Sequence, residues 1–137
     1  MAACIFCAIA SGEAAASVVA RDQATCAFLD ARPVFKGHVL VATRAHVETL
    51  LDLGAEALAP LFGAVQRIAG AVERGLGADG TFVAVNNKVS QSVPHLHVHV
   101  VPRRKGDGLR GFFWPRTRYE SDAERDEYAR RIAEALR

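Results

Sequence analysis

The sequence has 137 residues, half of them hydrophobic and 23% charged, with a formal net charge of +2. That is enough apolar material for one compact domain spanning residues 1–137, and too little net charge to point to nucleic acid or an anionic membrane as partner. No apolar run approaches the roughly 20 residues that cross a bilayer, and the start of the chain lacks the basic and long apolar stretches of a secretory signal, so a cytoplasmic protein is expected. The three cysteines, Cys4, Cys7 and Cys26, are an odd number, which argues against a disulfide framework.

Residues 4–10 suit a short helical turn. Strands are expected at 17–21 and 24–30, joined by a tight polar turn at Asp22 and Gln23. Pro33 and Gly37 place a turn at 31–37. His38-Val39-Leu40-Val41-Ala42 reads as a buried third strand. The clearest helix covers 55–76, where Leu58, Leu61, Phe62, Val65, Ile68, Ala69, Val72 and Leu76 recur at helical spacing. Pro60 belongs in its first turn, and Gly75 and Gly77 offer stops. Strands at about 80–86 and 94–102 follow, the latter ending at Pro102. A last helix starts at Ser121, whose position before Glu124 makes a capping box. These elements predict an α+β fold: a five-stranded antiparallel sheet with one long helix and a C-terminal helix, packed on one face.

The strongest chemical signal is His95-Leu96-His97-Val98-His99-Val100-Val101. On a strand, side chains alternate between faces. His95, His97 and His99 then share one face, while Leu96, Val98 and Val100 enter the core. Such a row suits either of two chemistries. Imidazole binds zinc. It also attacks phosphorus and leaves again at neutral pH, while a neighbouring imidazole holds a phosphoryl oxygen or moves a proton. The preceding loop, Asn86 to Ser92, offers amides, hydroxyls and backbone N–H groups suited to phosphate oxygens. Beyond the row, Arg103, Arg104, Lys105, Arg110, Arg116 and Arg118 crowd one segment. They read either as a solvated loop or as contacts to phosphate. Trp114, in Gly111-Phe112-Phe113-Trp114-Pro115, reads equally as tail packing, site wall or dimer cover.

The pattern of histidines alternating with apolar residues, preceded by Gln91-Ser92-Val93-Pro94 and followed by Val101-Pro102-Arg103, resembles the histidine triad (HIT) family of nucleotide hydrolases and transferases. The resemblance extends over nearly the whole chain, through Cys4-Ile5-Phe6-Cys7, Ala27-Phe28-Leu29-Asp30, and Gly37-His38-Val39-Leu40-Val41 leading to His46. It departs at Ser90, where the family usually has glycine, and at Thr43-Arg44-Ala45, where Pro-Lys is usual. It implies a hydrolase or nucleotidyl transferase cleaving at the α-phosphate of nucleoside phosphoramidates or dinucleoside polyphosphates, and releasing a nucleoside monophosphate. His97 would be the nucleophile, His99 the contact to the phosphate or bridging oxygen, and Ser92 a group near the leaving group. Asn86, Gln91 and Ser92 would surround the phosphates, Asp30 the ribose hydroxyls, and Phe28 the purine base. A homodimer with its two sheets side by side is implied too. So is a structural zinc held by Cys4, Cys7, His46 and His95, as in bacterial members with the C-x-x-C pair, with no catalytic metal required. The alternatives are a zinc-dependent phosphoester hydrolase in which the triad holds the metal, and a nucleotide-binding regulatory protein with vestigial activity. Cys26 and His38 read as structural residues.

Overall fold

The computed structural model describes residues 4–109 and 116–136, and the chain falls into two compact units, Met1–Asp107 and Gly108–Arg137. The first begins with helix α1 (Ile5–Ser11), capped by the Cys4 side chain and ended by Gly12 in the left-handed conformation. Strands β1 (Val18–Arg21) and β2 (Thr25–Leu29) follow, then β3 (Val39–Thr43). Asp22 closes the β1–β2 turn by accepting from the Ala24 and Thr25 backbone N–H groups. Two short 3-10 turns, Leu50–Asp52 and Ala55–Ala57, lead into helix α2 (Leu58–Leu76), which stops at Gly77. Strands β4 (Gly80–Ala84) and β5 (His97–Arg103) complete the unit.

The five strands form one antiparallel sheet in the order β1-β2-β3-β5-β4. Its two faces carry two separate cores. Ala27, Val39, Val41, Leu96, Val98 and Val100 pack against Leu61, Ala64, Val65, Ile68 and Val72 of α2. Cys26, Phe28, Leu40 and Ala42 pack against Phe6, Ile9 and Ala10 of α1. The two helices of this unit, α1 and α2, therefore cover opposite faces of the sheet. The apolar periodicity marks the buried stripe of α2 but carries no signal for which side of the sheet it meets.

The strand carrying the histidines begins at His97 rather than near 94. Pro94 has no N–H to give a ladder, and His95 N–H turns back to Val93 O at 2.8 Å. The strand also runs through Pro102. There it pairs with β4 alone, its pairing with β3 having ended at Val100, so the missing N–H breaks no ladder bond.

The second unit carries helix α3 (Asp122–Ala135). Ser121 accepts from Glu124 N–H at 3.1 Å, but the Glu124 carboxylate accepts from Glu120 N–H, so the capping box is displaced by one residue. Arg130 bridges Glu127 and Glu134 along the helix. Arg110 and the Phe112-Phe113-Trp114 cluster lie outside the described residues. Among the described residues no helix is long and apolar enough to cross a membrane.

Candidate functional site

The antiparallel register sets the site. Leu40 lies opposite His99 and Ala42 opposite His97, while Phe28 and Cys26 lie opposite Leu40 and Ala42. His97 and His99 thus share a face with Phe28, and α1 closes over that face. The ring of Phe6 meets His97 edge-on at 4.9 Å and Phe28 at 5.2 Å. A cavity of about 510 Å³ opens there, walled by Ile5, Phe6 and Ile9 of α1, Phe28, Leu29 and Asp30, Leu40, Ser92 and Val93, and His97 and His99. That volume is ordinary for a small-molecule site.

Each imidazole has a defined proton position. His97 is 6% exposed, and its Nδ1 lies 2.6 Å from the main-chain oxygen of His95. A carbonyl oxygen only accepts, so Nδ1 carries the proton and Nε2 keeps its lone pair. His38 accepts from Val34 N–H through Nδ1 at 3.1 Å. Its proton is therefore on Nε2, which donates to His99 Nδ1 at 3.0 Å. His99 in turn carries its own proton on Nε2. Burial pushes His99 down to about 4, reinforced by His97 and His38, and burial also lowers His38. Both rings are neutral at pH 7. Asp30 Oδ2 lies 3.8 Å from His38 Nε2, and Asp30 Oδ1 accepts from Arg32 N–H at 2.9 Å.

His95 is fully buried and faces elsewhere. Its Nε2 donates to Thr43 O at 2.6 Å, which leaves the Nδ1 lone pair free. That atom lies 3.3 Å from Cys4 Sγ and 3.5 Å from Cys7 Sγ, while His46 Nδ1 lies 3.3 Å from Cys7 Sγ. The four ligand atoms all fall within 4.8 Å of one another. Two thiols and two imidazoles with a ring nitrogen each directed inward fit a closed tetrahedral zinc site. Burial, with the neighbouring Cys4, pushes the Cys7 thiol up, so metal binding must release protons. The three triad imidazoles do not converge on one ion: His95 serves the thiols, His97 a carbonyl and His99 the ring of His38.

Phe28, Asp30, Ser92, His97 and His99 wall the cavity, whereas Asn86 and Gln91 do not. The Gln91 amide is spent on the main chain, accepting from Lys88 N–H at 2.9 Å and donating to Glu48 O, in the segment after β3, at 2.5 Å. Asn86 reaches Ser90 O, and Asn87 accepts from Leu50 N–H at 3.0 Å. Lys88 and Ser90 take left-handed backbone conformations, φ +72° and +63°. The serine that replaces the usual glycine thus stands where glycine costs nothing. His38 reads from the sequence as a structural residue, yet it holds His99. A single histidine at a strand start has no periodic signature, and its role depends on the β3–β5 register. Two arginines of the basic segment hold the fold together. Arg103 pairs with Asp107, and Arg104 donates to Leu76 O and Gly77 O at 2.6 Å, closing the C-terminal end of α2.

The fold has close counterparts among known proteins. A HIT-like protein of Mycobacterium tuberculosis, itself uncharacterised, is 40% identical over 138 residues, covering 97% of this chain and 92% of that protein. Two proteins of Schizosaccharomyces pombe also match: an adenosine 5'-monophosphoramidase, 32% identical over 82% of this chain and 83% of that one, and an asymmetrical bis(5'-nucleosyl)-tetraphosphatase, 35% identical over 64% and 49%. Among solved structures, a HIT family protein from Bacillus subtilis superposes with a TM-score of 0.86 at 34% identity, covering 97% of this chain and 96% of that one. A zinc-bound histidine triad protein from Mycobacterium smegmatis gives 0.74 at 39% identity, covering 98% and 94%. The HIT domain family model matches residues 11–106, and with that match the chain belongs to the HIT domain family.

Proposed function

We propose that this chain is a nucleotide hydrolase or nucleotidyl transferase that cleaves at the α-phosphate of nucleoside phosphoramidates or dinucleoside polyphosphates. The observation that carries this reading is the hydrogen bond from His97 Nδ1 to the His95 oxygen, which leaves a lone pair on Nε2 in a walled cavity. His97 Nε2 attacks the α-phosphorus, the bond to the leaving group breaks, and a nucleotidyl-histidine forms. Water then attacks the same phosphorus, the P–N bond breaks, and a nucleoside monophosphate leaves. His99 donates from Nε2 to the phosphoryl or bridging oxygen, so the charge that develops there meets a fixed donor. Ser92 stands at the leaving-group side. Asp30 receives the ribose hydroxyls, and Phe28 with Phe6 flanks the purine base. Asn86 and Gln91 act by holding the loop that presents Ser92. This route asks for no metal at the phosphate, because the nucleophile is supplied by the chain.

Cys4, Cys7, His46 and His95 would hold a structural zinc, and the zinc-bound M. smegmatis relative supports this. Such an ion would fasten α1 to the sheet and fix the main chain of His95. The β4 edge, with Val83 exposed, suits a homodimer with its sheets side by side. A reducing cytoplasm suits the free thiols.

Stereochemistry tests the covalent route. With an adenosine substrate chiral at the α-phosphorus, two successive in-line displacements give net retention. Net inversion would mean direct attack by water and would remove His97 from its role.

A further inference from the structure

The Cys4–Cys7 pair and the substrate cavity share one short helix. α1 has seven residues, too few to stay helical alone, so its place depends on what holds it. Near its C-terminal end Arg21 donates to Ile9 O at 2.9 Å. At its N-terminal end the two thiols meet His46 and His95. Between these ties Phe6 lies edge-on to both His95 and His97, at 5.9 and 4.9 Å. His95 joins the two sites directly, because its ring faces the thiols while its main-chain oxygen accepts the His97 proton.

We propose that Cys4 and Cys7 are an oxidisable latch: a hydroperoxide joins the two metal-binding thiolates as a disulfide, releases the divalent ion and slows the enzyme by unsetting His95 and Phe6 about His97. The chemistry balances. Each thiolate gives one electron and an S–S bond forms. The O–O bond of hydrogen peroxide breaks, and with two protons its oxygens leave as two waters. The ion keeps its charge and departs because two of its four ligands are gone. Both cysteines are half-buried, in contrast to Cys26, and Cys7 N–H already points to Cys4 Sγ at 3.5 Å. Joining residues three apart leaves the helical turn between them possible. Cys26, fully buried in β2, is shielded from the same reagent.

The rate arm of the test rests on the proposed function; the metal arm does not. The full chain carrying Cys26→Ser is loaded with zinc and treated with hydrogen peroxide. Zinc is expected to appear on a chromogenic chelator as the mass falls by two hydrogens and peptide mapping joins Cys4 to Cys7. The His97 Nδ1–H resonance should shift, and adenosine phosphoramidate hydrolysis should fall roughly tenfold or more, as expected when a supporting contact is lost. Both should return with dithiothreitol and zinc. Cys7→His, which keeps a ligand but forms no such disulfide, should hold its zinc and its own rate through the same treatment. Zinc release with the His97 resonance and the rate unchanged would overturn the latch. So would oxidised protein that keeps its zinc, or equal peroxide loss in Cys7→His. Zinc release with a shifted His97 resonance, in a chain that never hydrolyses the substrate, supports the latch and counts against the proposed function alone.

Discussion

His97 carries its proton on Nδ1 because the His95 oxygen beside it can only accept. His99 carries its proton on Nε2 because His38, itself held by Val34 N–H, donates to the other nitrogen. One ring is left with a lone pair and its neighbour with a donor, the pairing that attack on a phosphate requires. Replacing His38 by alanine removes that constraint on His99. The expected result is a fall in kcat of roughly 10²-fold, the low end for lost acid–base assistance, with KM little changed. His38→Asn should recover part of the loss, since an amide can accept from Val34 and donate to His99. Steady-state kinetics of both variants check this, and equal kcat values for alanine and asparagine would speak against it. In the loop between β4 and β5, Ser90 sits at φ +63°. Ser90→Gly is expected to raise stability by about 0.5–1 kcal/mol in urea unfolding, as the left-handed strain outweighs the added freedom of the unfolded chain. The three triad histidines were legible because alternation along a strand is a local rule. Their division of labour was not. It depends on Pro94 delaying the strand, and on the β3–β5 register that brings His38 to His99.

Among the elements, α1 depends most on what surrounds it. It packs Phe6, Ile9 and Ala10 on the sheet, and its capping cysteine faces a buried histidine. Chelating the proposed zinc is expected to speed amide exchange across Ile5–Ser11 far more than in α2, which carries its own core of Leu61, Val65, Ile68 and Val72. Hydrogen exchange by mass spectrometry reads this directly, and equal change in both helices would contradict it. The Cys7 thiol, pushed up by burial and Cys4, adds that zinc binding releases protons and tightens as pH rises. The turn before β3 carries Gly37 at φ +99°, where a Cβ would meet Leu76. Gly37→Ala should cost about 1–3 kcal/mol, chiefly through backbone strain. The long helix was readable from its apolar spacing, to the residue at its Leu76 end and three residues early at its start, where Ala55–Ala57 form a 3-10 turn. The basic segment was less so, because charge density alone does not tell a phosphate contact from the closure of a helix end, the work Arg104 performs on α2.

Across the whole molecule, the sheet keeps its neutral imidazoles away from water, and that makes stability depend on pH. His99 ionises near 4 when folded and near 6.5 when unfolded, and His38 shifts in the same direction. Between those values the unfolded chain binds more protons, so stability rises with pH through that window and is complete above about 6.5. His99 carries part of the difference between pH 4 and pH 7. Urea unfolding at several pH values checks the slope, and its persistence in His99→Asn would assign it to other groups. The central claim concerns the covalent intermediate. The most direct test is intact-mass measurement after rapid denaturation, without acid, of protein mixed with an adenosine phosphoramidate, comparing the unaltered chain with His97→Ala and His97→Gly. The account predicts a mass increase of one nucleotidyl group in the unaltered chain and none in either variant. Nucleoside monophosphate release that persists in the variants, with no adduct in any chain, would contradict it.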